Sequence, residues 1–145
     1  MRVRCAGRWL AQRGAGTGYV FAVLDERGEP VGNVAVGKVD PRHQTGWVAY
    51  WLVEQARGRG LAAQACRALA RGSFDELGLF RLELGHRVDN PASCRVAVAA
   101  GFAAEGLERC RLRYGSERFD TERHAWLATG PEPSTTARSG SPGTP

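Results

Sequence analysis

Two arginines alternate with two glycines in Arg57-Gly58-Arg59-Gly60, between the apolar run Trp51-Leu52-Val53 and a helical pattern that opens at Leu61-Ala62. A strand that stops in a glycine-rich turn and feeds a helix leaves the first backbone N–H groups without partners, with the positive end of the helix dipole behind them. That combination is suited to phosphate. The glycines let a ligand approach the backbone closely, and the two guanidinium groups can fork onto phosphate oxygens. A triphosphate loop would require Gly-Lys-Ser/Thr and a dinucleotide fold Gly-x-Gly-x-x-Gly, and neither is written here. The plain alternative is a surface turn with solvated arginines.

Further along, Asn90 and Ser93 lie three apart at the start of a short helical pattern, on one side of its first turn and facing whatever lies beyond the preceding strand. Capping accounts for Asn90 without a ligand, and a hydroxyl bonded to its own turn accounts for Ser93. Glu83 and His86 share that preceding strand at odd spacing, so they point to opposite faces and cannot both line one cleft. An imidazole ordinarily titrates near neutrality, which makes His86 the better proton acceptor and leaves Glu83 as the structural partner of an arginine. Tyr114 and Asp120 either border an acceptor cleft or serve hairpin packing and turn chemistry.

The order Arg57-x-x-Gly60-x-Ala62 resembles the acyl-coenzyme A loop of the GNAT N-acetyltransferase superfamily. Tyr50-Trp51-Leu52 before the loop, Glu76-Leu77-Gly78-Leu79, Arg81-Leu82-Glu83, Asn90-Pro91-Ala92-Ser93-Cys94-Arg95-Val96 and Ala100-Gly101-Phe102 extend the likeness. Together they look like the RimJ/RimL-like branch, from about Phe21 to Leu127. The resemblance implies an α+β GNAT fold with a mixed, mostly antiparallel sheet flanked by helices. It also implies transfer of an acetyl group from acetyl-CoA to a primary amine, on a protein N-terminus or a small molecule. Acetyl-CoA would be held by Leu52, Val53, Arg57, Gly58, Arg59, Gly60, Leu61, Ala62 and Asn90, with a backbone N–H near Leu52-Val53 on its carbonyl. Asn90 would order the pantetheine arm, Ser93 would protonate the sulfur, and His86 is the candidate base. The chemistry requires no metal. Two other readings stay open: a GNAT-like module that binds acyl-CoA or a partner without turnover, and a basic RNA-binding protein.

These residues need elements to hold them. Val3, Ala6, Trp9 and Leu10 suggest a helix over Arg2–Gln12 that Gly14, Gly16 and Gly18 end. Tyr19–Leu24 and Pro30–Val39 read as a hairpin around Asp25–Glu29, with Gly28 available for positive φ, and Thr45–Val53 as a third strand. Leu61, Ala65, Leu69 and Leu77 mark one face of a helix over Gly60–Leu77, weakened by Gly72. A buried strand over Phe80–Val88 follows. Next, Asn90, Pro91 and Gly101 sign the two ends of a short helix. A final hairpin pairs about Leu107–Tyr114 with Arg118–Leu127.

With 145 residues and 43% hydrophobic composition the chain suits one domain with one core, over 1–129. The Pro/Ser/Thr/Gly-rich residues 130–145 have little to bury and read as a disordered tail. No apolar run is long enough to span a bilayer, and Met1–Cys5 does not open a signal peptide, so a cytoplasmic protein is expected. The net charge of +5 rests on arginine, with Lys38 the only lysine. Acids and bases alternate from Glu105 to His124, which suits salt-bridged strands better than a nucleic-acid surface. Cys5, Cys66, Cys94 and Cys110 are scattered, and none stands at zinc-ligand spacing with His43, His86 or His124. Members of the resembling family normally carry a strand and one or two helices before the hairpin at Tyr19. The first strand and helix therefore read as absent, which leads to an expectation of a shortened chain or a homodimer in which a second copy supplies the acceptor wall.

Overall fold

Asp25 sets the first hairpin: its Oδ1 accepts from the backbone N–H groups of Arg27 and Glu29, and Gly28 takes φ +80°. The flanking strands are β1 (Thr17–Leu24) and β2 (Pro30–Asp40), and β3 (Thr45–Leu52) completes an antiparallel meander. This computed structural model describes residues 17–131. The helix expected over Arg2–Gln12, and the tail beyond Pro131, lie outside the described residues.

From β3 the chain passes through α1 (Leu61–Asp75) to β4 (Arg81–Arg87), then α2 (Pro91–Ala100), β5 (Ala103–Tyr114) and β6 (Glu117–Leu127). The six strands form one mixed sheet in the order β1-β2-β3-β4-β6-β5, in which only the β3–β4 pair is parallel. The mixed, mostly antiparallel α+β sheet expected from the sequence is therefore present. α1 ends two residues earlier than its apolar spacing suggested, so Leu77 packs from beyond the helix.

The face of α1 made by Leu61, Ala65, Cys66, Leu69 and Ala70 is buried against β2 and β3, in one core with Val34, Val36, Val48 and Leu52 of those strands and Leu82 and Leu84 of β4. A fully buried leucine contributes about 1.5–3 kcal/mol relative to exposure, so this face fixes α1 on the sheet. Close approach demands a glycine at Gly46: a methyl group there would lie 2.7 Å from Val36 Cγ2. On the final hairpin Glu108 pairs with Arg111 and Arg123, and Arg81 forks onto Glu105, while Arg113, Arg118 and Asp120 bond backbone groups of the same hairpin. Among the described residues no helix is long and apolar enough to cross a membrane.

Candidate functional site

β3 and β4 pair only from Thr45 with Arg81 to Trp47 with Glu83. Beyond that point β3 stays bonded to β2 through Leu52, and β4 to β6 through Arg87. Each strand follows its outer partner, and the seam between them opens. The ladder also decides which N–H groups face the opening. Val53 donates to the Val31 carbonyl at 2.8 Å. Since N–H directions alternate along a strand, the Leu52 N–H points away from β2, toward the opened seam. Of the two residues expected to hold a carbonyl, Leu52 has its N–H available and Val53 has spent its own on the sheet.

The segment after β3 makes a single 3-10 turn, Glu54–Ala56, pinned by buried Ala56. Arg57 Nε donates back to the Leu52 carbonyl at 3.2 Å, folding its side chain along the end of β3. Gly58 and Gly60 take φ +74° and +77°. An L side chain in that region costs about 1–2 kcal/mol, so the glycines are required by the backbone path. Gly60 caps α1, and no side chain bonds the first N–H groups of the helix. Those donors are oriented, in a region of positive helix potential, and open to an anion.

At the other wall, Asn90 Oδ1 accepts from the Ser93 N–H at 3.1 Å and Gly101 closes α2 at φ +113°. Asn90 is thus the N-cap, and only its amide oxygen is used for that purpose. The Ser93 hydroxyl is bonded to a distant residue: Tyr50 Oη donates to Ser93 Oγ at 3.2 Å. Burial raises the Tyr50 pKa, partly offset by this bond, so the phenol stays protonated as the donor.

A cavity of about 590 Å³ joins these parts. β3 contributes Tyr50, Trp51 and Leu52, the loop Arg57, Gly58 and Gly60, and α1 Leu61, Ala62 and Ala63. From the α2 side come Asn90, Ala92, Ser93, Arg95, Val96 and Ala99. The volume is that of a typical small-ligand site. Of the expected residues, Val53, Arg59 and His86 do not line it. Arg59 turns instead to Glu26 in the first hairpin, at 3.4 Å. Tyr50 and Arg95 line the cavity as well, beyond the residues expected there. Their signals were parity with Leu52 along β3 for Tyr50, and for Arg95 a place one turn along α2 from the N-cap.

His86 is buried outside the cavity lining. Its Nδ1 lies 2.8 Å from the Arg87 carbonyl and its Nε2 3.0 Å from His124 Nε2. Glu122 and Cys94 complete a cluster whose ligand-type atoms all lie within 4.8 Å of one another. A base role in the cavity does not fit this position. Glu83 bonds Arg81 at 3.0 Å, as expected of a structural partner. Asp120 accepts from the Cys110 N–H at 2.7 Å and Tyr114 packs edge-on against Phe119, both in hairpin roles.

Comparison with known proteins agrees with this architecture. Residues 2–103 match the family model described as acetyltransferase (GNAT) domain. The chain is 34% identical over 97 residues to ribosomal-protein-serine acetyltransferase of Escherichia coli, covering 67% of this chain and 52% of that protein. It is 30% identical over 100 residues to the putative ribosomal N-acetyltransferase YdaF of Bacillus subtilis, covering 69% and 55%. A crystal structure of a probable acetyltransferase superposes with TM-score 0.71 at 27% identity, over 77% of this chain and 62% of that one. A spermidine N-acetyltransferase SpeG variant from Vibrio cholerae shares the fold with TM-score 0.71 at 22% identity, over 76% and 65%. The chain thus spans about half the length of the curated relatives it matches. With the splayed strands, the uncapped helix and a family match over most of its length, the chain belongs to the acetyltransferase (GNAT) domain family.

Proposed function

We propose that this chain moves an acetyl group from acetyl-CoA to a primary amine by direct transfer. One observation carries the reading: a single cavity gathers the uncapped start of α1, the end of β3 at Leu52 and the Ser93 hydroxyl. The loop Arg57–Ala62 suits the diphosphate, through the α1 N–H groups and the Arg57 guanidinium. Asn90 is placed to order the pantetheine arm with the amide nitrogen its cap does not use. The Leu52 N–H is aimed to stabilise negative charge on the thioester oxygen while the amine nitrogen bonds to the carbonyl carbon and the C–S bond breaks. Because Ser93 Oγ is the acceptor in the bond from Tyr50, its own hydrogen remains free to pass to the departing sulfur, while the proton shed by the acylated amine returns to Ser93 Oγ through solvent.

The acceptor we favour is a protein amine, in keeping with the relative named ribosomal-protein-serine acetyltransferase. Small-molecule amines come second. A different reading, an acyl-CoA-binding module without turnover, draws on one fact: no carboxylate or imidazole is among the described lining residues, so none is there to take the amine proton. Isothermal titration with acetyl-CoA, followed by a thiol-release assay over protein and small-molecule amines, separates these. Transfer predicts binding with release whose rate climbs with pH as the free amine forms. Binding without release supports the module, and no binding removes both.

A further inference from the structure

The cluster beneath α2 is left unused by acetyl transfer, and its chemistry is distinct. We infer that His86, Cys94, Glu122 and His124 form a binding site for a divalent transition-metal ion, zinc above others, that ties the first turn of α2 to β4 and β6. The two imidazoles, one thiol and one carboxylate come from three elements and converge on one point. His86 Nε2 lies 3.0 Å from His124 Nε2 and 3.7 Å from Glu122 Oε1; His124 Nε2 lies 2.8 Å, and Cys94 Sγ 3.8 Å, from that same oxygen. Zinc bonded to nitrogen or oxygen at about 2.0–2.2 Å and to sulfur at about 2.3 Å places tetrahedral neighbours about 3.3–3.6 Å apart. The observed separations bracket that edge length. Two nitrogens, a thiolate and a carboxylate are also the donor mixture that suits zinc and cobalt better than magnesium or calcium.

The hydrogen count points the same way. A carbonyl oxygen can only accept, so the 2.8 Å contact to Arg87 places the His86 hydrogen on Nδ1 and turns the Nε2 lone pair into the cluster. Donation from the outer ring nitrogen to a backbone carbonyl is the support a metal-bound histidine ordinarily receives. His124, with 0% exposure, then has one Nε2 hydrogen to offer to two acceptors, Glu122 and His86, while its Nδ1 is buried without a partner. A cation replaces that contested hydrogen with four lone-pair bonds. On binding, the Cys94 thiol loses its proton to solvent and the His124 hydrogen moves from Nε2 to Nδ1, so one proton is released per ion. The unsupported Nδ1–H lowers the affinity relative to a site with both histidines braced. All four ligands come from the chain, which makes this a closed structural site. Ser93, which borders the acyl cavity, directly precedes the ligand Cys94, so the ion would hold the cavity wall without entering the transfer.

The inference stands apart from the acetyl-transfer reading and is tested without an activity assay. Untagged full-length chain is dialysed against metal-free buffer, loaded with zinc or cobalt, and its bound metal counted. Zinc affinity is then measured by competition with a chromophoric chelator. We expect one zinc per chain, a rise in Tm with zinc, and a cobalt adduct with intense tetrahedral bands and a thiolate charge-transfer band. Cys94→Ala should abolish that band, and both it and Glu122→Gln should weaken zinc binding by at least about 10-fold. These two partly exposed positions are chosen because substitution of fully buried His124 could unfold the chain. The inference is overturned if folded protein retains no zinc, if neither variant changes the affinity, or if cobalt binds without thiolate charge transfer.

Discussion

Tyr50 and Ser93 are joined by one hydrogen bond of 3.2 Å across 43 residues of sequence, and the proposed role of Ser93 depends on it. If Ser93 protonates the leaving sulfur, Ser93→Ala removes an interaction made only as the thiolate departs. kcat should then fall by about ten-fold or more, equivalent to at least about 1.4 kcal/mol, while acetyl-CoA affinity is nearly kept. Tyr50→Phe leaves the serine in place but removes the bond that orients its hydroxyl. A net hydrogen bond of about 0.5–1.5 kcal/mol converts to a loss of roughly 2- to 13-fold in kcat. The two effects share one path, so Tyr50→Phe should cost nothing further in the Ser93→Ala background. Steady-state thiol release by the four proteins of this double-mutant cycle, with Tm as the control for folding, gives the coupling. Strictly additive losses would refute the relay from Tyr50 to Ser93, and an unchanged kcat in Ser93→Ala would reduce the serine to part of the α2 turn.

Gly60→Val forces a β-branched residue to φ +77° at the cap of α1, and differential scanning fluorimetry should find a folded protein that acetyl-CoA no longer stabilises. Arg57→Ala should weaken acetyl-CoA binding in calorimetry, whereas Arg59→Ala, whose guanidinium is held by Glu26 outside the cavity, should change it little; the reverse ranking would displace the proposed diphosphate site. Gly72→Ala adds a methyl with nothing within 4 Å in the interior of α1, so denaturant unfolding should register a gain of about 0.5–1 kcal/mol. Arg81 holds the Glu105 carboxyl below its ordinary range, chiefly through their hydrogen bonds. With the folded pKa lowered, the stabilisation is present above the unfolded value of about 4.3 and is lost as pH falls through the folded one. Glu105→Gln should therefore flatten the acid limb of a Tm-against-pH curve, by under about 1 kcal/mol at this exposed pair and less in high salt.

What could be read from the residues alone is what the backbone decides locally. Asp25 and Gly28 write the first hairpin, Asn90, Pro91 and Gly101 write both ends of α2, and Gly58 and Gly60 mark a left-handed path into α1. Each signal acts within a few residues through φ, ψ or a short side-chain bond, so it survives without knowledge of the fold. Side-chain parity likewise separated Glu83 from His86 correctly, since alternation in a strand needs no partner. The tertiary structure decided what each group meets. Whether the Leu52 or the Val53 N–H faces the seam depends on the register of β3 with β2, and the opening of the seam depends on two strands following different outer neighbours. Arg59 lies outside the cavity lining and meets Glu26, 33 residues away. His86 left the role of base because β6 sets Glu122 opposite it and His124 diagonally, while α2 lays Cys94 over them. Ligand spacing along the chain could not reveal that cluster: its members meet only through sheet pairing and helix packing, which no local pattern encodes.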